Sequence, residues 1–168
     1  MKARNFVLLI LLTVLGFVNI SAQGFKGIVP LESTCADVKR ILQVDDCSYP
    51  YSIFTFKDFS VDIHFSKEKS SPEDKWCYRV SPGTVRSLTV SYYKSIPMKE
   101  FEYDLKVKEG PFGDIKTTIY ENRDKGVSVM TNRGLINTAV FVPTPKQHEK
   151  LAYECNSSLH KDHPSGQQ

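Results

Sequence analysis

Apolar and polar residues alternate through residues 49–66, and this two-residue period restricts the fold more than any other feature of the chain. Two alternating runs, residues 53–56 and 61–66, lie on either side of the pair Lys57-Asp58. Because successive side chains of a strand point to opposite faces, such alternation predicts strands with one buried face. Two runs of this kind around a short polar pair predict a β-hairpin.

Further runs indicate that strands continue to about residue 143. Each run contains alternating apolar residues and is bounded by glycine, proline or a polar turn. The runs are residues 85–92, 117–121, 127–131 and 134–143. Residues 98–105 fit a short helix and a strand equally, and both alternatives stay open.

One helix is predicted before the hairpin. Thr34, preceded by Ser33, is a good N-cap, and Asp37 places a negative charge in the first turn. The apolar residues that follow have helical spacing, and they are Val38, Ile41 and Leu42. We expect the pair Asp45-Asp46 to end this helix.

The two halves of the chain can be aligned with each other. Residues 56–66 align with residues 122–132, and residues 83–92 align with residues 134–143. This predicts two α-β-β-β halves derived from one duplicated unit. The predicted fold is α+β, with an antiparallel sheet and one or two short helices on one face.

The N-terminal residues predict export. Lys2 and Arg4 precede an apolar run and then small residues, which is the layout of a signal peptide covering residues 1–22. Residues 23–155 would then form one secreted or periplasmic domain, and residues 156–168 a disordered polar tail. Cleavage removes two of the 22 basic residues, against 19 acidic ones. We therefore expect neither nucleic acid nor, after cleavage, a membrane as the partner.

Four cysteines lie after the predicted cleavage site, and they are Cys35, Cys47, Cys77 and Cys155. An even number in an exported domain predicts two disulfides, with three possible connectivities. Among these we favour Cys35–Cys47 and Cys77–Cys155, because a short helix and a turn can return Cys47 to Cys35. A catalytic Cys35 would need a neighbouring histidine or cation, and zinc sites favour closer cysteine spacing.

Two sets of residues are candidates for a functional site. Asp62 and His64 are alternate residues of one predicted strand, so a carboxylate there can orient an imidazole. Aromatic residues, which are enriched at protein interfaces, provide a possible interaction surface at Trp76, Tyr92 and Tyr93. Because Tyr92 and Tyr93 are consecutive, we expect one of them to lie outside. The sequence predicts no cofactor and no metal site.

Several segments resemble a family of uncharacterised secreted bacterial proteins. These segments are GIVPLESTCADVKRIL, WCYRVSPGTVRSLTV, YENRDKGVSV and VFVPTPKQHEKLAYEC. Cys35 stands where that family has a basic residue, and Cys47 is also an addition. The segment STCADVKRIL is in addition similar to the helix of the small outer-membrane assembly lipoprotein and β-lactamase-inhibitor-protein module, although Gln43 replaces a glycine. That second resemblance implies a helix packed on a small sheet.

These observations together predict an exported, non-catalytic binding or structural protein of the bacterial envelope. Its expected partner is another envelope protein, bound through the face or the edges of the sheet. The alternative is a small hydrolytic or metal-dependent enzyme that uses Asp62 and His64. The sequence leaves open the identity of the partner and the oligomeric state.

Overall fold

The computed structural model describes residues 24–67, 76–112 and 117–154. The predicted signal peptide, the predicted polar tail and Cys155 lie outside the described residues.

Within the described residues the chain forms two short α-helices, two 3₁₀-helices and nine strands. The helices are α1 (Cys35–Leu42), η1 (Met98–Glu100), η2 (Arg123–Lys125) and α2 (Pro145–Leu151). The strands are β1 (Tyr51–Thr55), β2 (Phe59–Phe65), β3 (Trp76–Tyr78), β4 (Val85–Pro97), β5 (Lys106–Phe112), β6 (Thr117–Asn122), β7 (Val127–Asn132), β8 (Leu135–Phe141) and β9 (Ala152–Glu154). The fold is α+β, as predicted, and most of its regular structure is β.

Seven strands form one antiparallel sheet in the order β1-β2-β4-β8-β7-β6-β5. The predicted hairpin is present as β1 and β2. The strands β3 and β9 pair separately in a two-stranded antiparallel sheet. Residues 98–105, which fitted both a short helix and a strand, form the 3₁₀-helix η1 over their first three residues and no strand, and β5 begins at Lys106.

The helix α1 begins as the sequence predicts. The Thr34 side chain accepts a hydrogen bond from the Asp37 backbone N–H, and the Thr34 backbone N–H donates to the Asp37 carboxylate at 2.9 Å. These reciprocal bonds form a capping box, which satisfies backbone donors of the first turn. The helix ends at Leu42, earlier than predicted, because Gln43 adopts a left-handed conformation with φ 57°.

One face of the large sheet, the inner face, carries the hydrophobic core. Val38 and Leu42 of α1 pack against it, together with Ile28 from the N-terminal segment. Tyr103, in the segment after η1, also packs there, with its ring 5.7 Å from that of Phe141. The buried residues of β2, β4, β7 and β8 are Val61, Ile63, Phe65, Val85, Leu88, Val90, Val127, Val129, Thr131, Ile136, Ala139 and Phe141.

The pairing of β2 with β4 recurs in the pairing of β7 with β8. Val61 pairs with Val90, and the aligned residue Val127 pairs with Phe141. Each pair of strands also has one register shift, after His64 in β2 and after Met130 in β7. Both the buried residues and the irregularities therefore fall at aligned positions.

One predicted disulfide is present in the described residues. Cys35, the first residue of α1, is bonded to Cys47, with 6.1 Å between their Cα atoms. The bond fixes the start of α1 to the segment that leads into β1. Cys77 is buried and is also disulfide-bonded. Since Cys155 lies outside the described residues, the pairing of Cys77 with Cys155 stays a prediction.

Candidate binding surface

The side chains that point away from the core form the outer face of the large sheet. Across its centre, Asp62 is opposite Thr89, Thr89 is opposite Val140, and Val140 is opposite Ser128. The neighbouring row includes Ser60, Ser91 and Thr138. Hydroxyl and aliphatic groups therefore line most of this face, and charged groups are few at its centre.

Large apolar side chains stand exposed on the outer face. Ile53 and Tyr93 are each 59 % exposed, Met130 is 47 % exposed and Tyr51 is 37 % exposed. Tyr51 and Ile53 alternate along the edge strand β1, so their side chains lie side by side on this face. Tyr51 and Ile53 thus form an exposed apolar pair, and contiguous exposed apolar groups are typical of interaction sites.

Asp62 and His64 both point to the outer face, as their spacing predicts. However, each lies next to Tyr51. The His64 ring is 4.7 Å from the Tyr51 ring, centroid to centroid, and burial together with the Asp62 carboxylate raises the pKa of the Tyr51 phenol. No hydrogen bond between described residues joins the His64 ring to Asp62, so the carboxylate does not orient the imidazole here.

Register also places Ser87 opposite His64, a neighbour that the sequence could not reveal. A serine nucleophile would need a hydrogen bond to its base, and that base would need an orienting group. The described hydrogen bonds include neither contact. In the described parts of the chain, moreover, no group of three or more histidine, cysteine, aspartate or glutamate residues is placed to hold a metal ion.

A cleft of about 580 Å³ opens beside His64 at one end of the outer face. Its lining includes Tyr51, His64, Lys67, Tyr78, Arg86 and Ser87. Aromatic walls and several hydrogen-bond donors therefore converge on one concave region. Pockets that bind ligands or partner side chains have this composition.

Tyr78 of β3 is one of the residues that line the cleft. Its hydroxyl lies 3.1 Å from Nδ1 of His148 in α2, and the Arg86 guanidinium lies 5.7 Å from its ring centroid. Burial raises the pKa of the Tyr78 phenol, although the Arg86 charge opposes the shift. The small sheet is thus held against the end of the large sheet by polar and aromatic contacts.

The three aromatic residues predicted as an interaction surface have different environments. Tyr92 packs against the core and burial raises its pKa, whereas Tyr93 lies exposed on the outer face. Trp76 begins β3, but its side chain is outside the described part of the structure. Of the two tyrosines, Tyr92 therefore packs against the core and Tyr93 is exposed.

The helix α2 was not predicted, although the sequence contains the capping residues that mark its start. Thr144, with Pro145 after it and Gln147 three residues on, matches a capping box with proline at the first helical position. In the structure, Gln147 closes that box and also donates a hydrogen bond to the Pro30 carbonyl at 2.9 Å. The helix thus connects the C-terminal part of the domain to the segment before α1.

Comparison with known proteins gives no match, since no family model, no curated protein and no solved structure is similar to the chain. The Cys35–Cys47 disulfide fits a protein of an oxidising compartment. Of the helices in the described ranges, none combines the length and the hydropathy that crossing a bilayer requires.

Proposed function

We propose that the protein is an exported, non-catalytic binding protein of the bacterial envelope. It holds a protein partner against the outer face, at the end of the sheet formed by β1, β2 and β4. The proposed export depends on the predicted signal peptide, and the disulfide supports it because cytosolic disulfides are rare. The resemblance to secreted bacterial proteins agrees with this location.

The observation that carries the proposal is the exposure of Tyr51, Ile53 and Tyr93 on a face with few charges. Interface centres are enriched in aromatic residues and depleted of charged ones. The cleft beside His64 adds a concave region in which a side chain of the partner can be held. A flat apolar surface next to a pocket is the arrangement in which a few anchoring residues provide most of the binding energy.

The alternative of an enzyme that uses Asp62 and His64 has less support. Tyr51 occupies the space beside both side chains, and the described residues provide neither a hydrogen-bonded nucleophile nor a metal-ligand cluster. Binding requires only the exposed surface that is present. We therefore retain binding as the function.

We also infer that the two halves derive from one duplicated unit. The recurrence of the β2–β4 register in β7–β8 supports this, because pairing and irregularities coincide at aligned residues. The halves differ at their starts, since α1 precedes β1 whereas the 3₁₀-helix η1 precedes β5. The strand β5 is an addition in the second half.

The test of binding is affinity capture from chemically cross-linked envelopes of the host. The tagged exported chain is compared with the variants Tyr51→Ser and Tyr93→Ser. Val107→Ser is the matched control, because Val107 is an exposed apolar side chain (65 % exposed) on the opposite edge strand. We expect one reproducible envelope protein with the wild type and the control, and at least a tenfold loss with the outer-face variants.

Two results would contradict the proposal. One is that no protein is enriched although the chain is folded and its disulfides are formed. The other is that all three variants capture the same protein as well as the wild type does. The first result would turn attention to a small ligand in the cleft, and the second to a different surface.

A further inference from the structure

The strand β1 is one of the two edges of the large sheet, and β5 is the other. Among the described strands β1 pairs only with β2. In the second half of the chain, β6 pairs with β7 as β1 pairs with β2, but β6 is covered on its other side by β5. The fold itself therefore shows that an antiparallel strand fits at this position.

The backbone of β1 presents hydrogen-bonding groups at this edge. The Phe65 N–H donates to the Pro50 carbonyl and the Phe56 N–H donates to the Phe59 carbonyl, each at 2.9 Å. In an antiparallel strand, alternate residues direct their backbone N–H and C=O groups to the same side. The backbone groups of the even-numbered residues of β1 therefore point to β2. Tyr51, Ile53 and Thr55 therefore direct their N–H and C=O groups outward.

The two edge strands of the large sheet differ in their protection against pairing with a strand of another molecule. Proteins protect edge strands with charged residues, proline and bulges. The strand β5 has all of these, with Lys106 and Lys108, a glycine at φ 136°, Pro111 and two register shifts. The strand β1 has the sequence YSIFT, with no charge, no proline and no register shift.

We propose that two copies of this protein associate by pairing their β1 strands antiparallel, with Ile53 opposite Ile53 of the second copy. In this register Tyr51 is opposite Thr55 in both directions. Every outward N–H of β1 then meets an outward C=O of the other copy. Because opposite residues of an antiparallel pair point to the same side, the two outer faces become one continuous surface.

A second copy suits this edge for two reasons. The strand has no charge, so pairing with itself places no like charges opposite each other. In addition, the large sheet, as described, has one open edge and one protected edge, so the contact closes as a two-fold dimer and does not extend into a fibre. Five paired residues make a small interface, so we expect a dissociation constant of roughly 10 μM or weaker.

The first test is sedimentation equilibrium of the exported chain with its disulfides intact. Concentrations run from about 5 to about 500 μM, the range in which small interfaces assemble. We expect a reversible monomer–dimer equilibrium, with the amides of Tyr51, Ile53 and Thr55 becoming protected from hydrogen exchange as dimer forms. A chain that is monomeric throughout this range, with those amides unprotected, would overturn the proposal.

A charge-swap experiment tests the register. Ile53→Lys or Ile53→Glu alone places two like charges opposite each other and should weaken association at least tenfold. An equimolar mixture of the two variants should associate at least tenfold more tightly than either alone. The control Val107→Lys, on the protected edge, should dimerise like the wild type.

Circular dichroism confirms that each variant is folded, and the amide-exchange result on the wild type does not depend on any variant. A dimer that is unaffected by either Ile53 variant, or a mixture no tighter than the single variants, would overturn the proposed pairing. So would protection of the β1 amides by a captured foreign strand while the wild type stays monomeric. In that case the edge would belong to a heterologous partner.

Discussion

Asp37 is the residue whose ionisation is most closely tied to the fold. Its carboxylate accepts hydrogen bonds from the Thr34 backbone N–H and from the Arg40 guanidinium, each at 2.9 Å. These contacts lower its pKa from 3.8 to about 2. The lowered pKa means that the carboxylate stabilises the folded state above pH 3.8, and that this contribution disappears as the pH falls through 2.

Asp37→Asn should therefore lower the free energy of unfolding at pH 7 by about 1 kcal/mol, the usual size of a capping interaction. The contribution is no larger because the side chain is 37 % exposed. Urea unfolding at pH 7 and at pH 2 measures the difference between variant and wild type. The account predicts that this difference shrinks at pH 2, and an equal difference at both values would contradict it.

The Cys35–Cys47 disulfide closes a loop across 12 residues. On the chain-entropy view, a loop of about this size stabilises the fold by about 3 kcal/mol. We expect the double variant Cys35→Ser/Cys47→Ser to lose roughly that amount in urea unfolding without losing the sheet. Alkylation of Cys35 in the native, unreduced protein would show instead that the bond is absent.

The variant His64→Ala distinguishes the proposed binding function from the alternative of catalysis. It is exposed, so His64→Ala should change the free energy of unfolding by less than about 0.5 kcal/mol. Because His64 lines the cleft proposed for a partner side chain, we expect a binding protein to lose capture by no more than about tenfold, with Tyr51, Ile53 and Tyr93 still in place. An enzyme that uses His64 as a base would lose activity by orders of magnitude. The measurement is capture by the variant, made in parallel with that by the wild type.

The side of the sheet on which a residue lies could be predicted where apolar and polar residues alternate without ambiguity. Asp62 and His64 share a face as predicted. In β1, however, Ile53 and Phe54 are both apolar, so the pattern could not tell which of them enters the core. Phe54 packs against the core and Ile53 is 59 % exposed, a choice made by the pairing of β1 with β2.

At the scale of elements, two glycines in turns of the second half provide a matched comparison. Gly126 and Gly134 both have positive φ, at 65° and 78°. A Cβ on Gly126 would collide with the Val142 carbonyl, whereas a Cβ on Gly134 would meet nothing within 4 Å. Of these two glycines, only Gly126 therefore combines a conformational requirement with a close approach of backbone.

Gly134→Ala should cost about 1 kcal/mol, the penalty for a left-handed residue other than glycine. Gly126→Ala should cost at least about 1 kcal/mol more. In this variant the backbone at Val142 has to move away from the new Cβ, and this movement weakens the hydrogen bond from the Val142 N–H to the carbonyl of residue 126. Thermal or urea unfolding of both variants provides the comparison. Equal losses would contradict this description of the turn.

The elements that could be predicted are those with uninterrupted periodicity. The hairpin of β1 and β2, the strands β7 and β8, and the start of α1 all follow from alternation and capping residues. The strand β5 could not be recognised, because its sequence KVKEGPF has no run of alternating apolar and polar residues and its pairing has two register shifts. The helix α2 could have been recognised from Thr144, Pro145 and Gln147.

At the scale of the whole molecule, the order of the strands was beyond sequence reasoning. The alignment of the halves predicts two similar units but does not show how they join. In the structure, β4 and β8 pair at the centre, so the two halves form one sheet with a common inner face. This junction leaves the outer face of both halves on the same side.

The same junction is consistent with the position of the proposed binding surface at one end of the sheet. The far edge is closed by β5, whereas the β1 end carries the exposed residues Tyr51 and Ile53 and the cleft beside His64. The sequence indicated the outer position of His64. It could not indicate the cleft, because Tyr78 is brought there, beside Arg86 of β4, by the separate sheet of β3 and β9.

The central claim is that a protein partner lies on the outer face at the β1 end, and site-specific photo-cross-linking in the host envelope tests it most directly. A photoreactive residue is placed at Tyr51 or Tyr93, and at Val107 as the control. At the first two positions only, the account predicts an adduct of one discrete mass that differs from the mass of a dimer of the chain. At Tyr51 a dimer adduct is expected in addition, because the proposed pairing of β1 places Tyr51 opposite Thr55 of the second copy. Adducts from Val107 alone, or from none of the three positions, would contradict it.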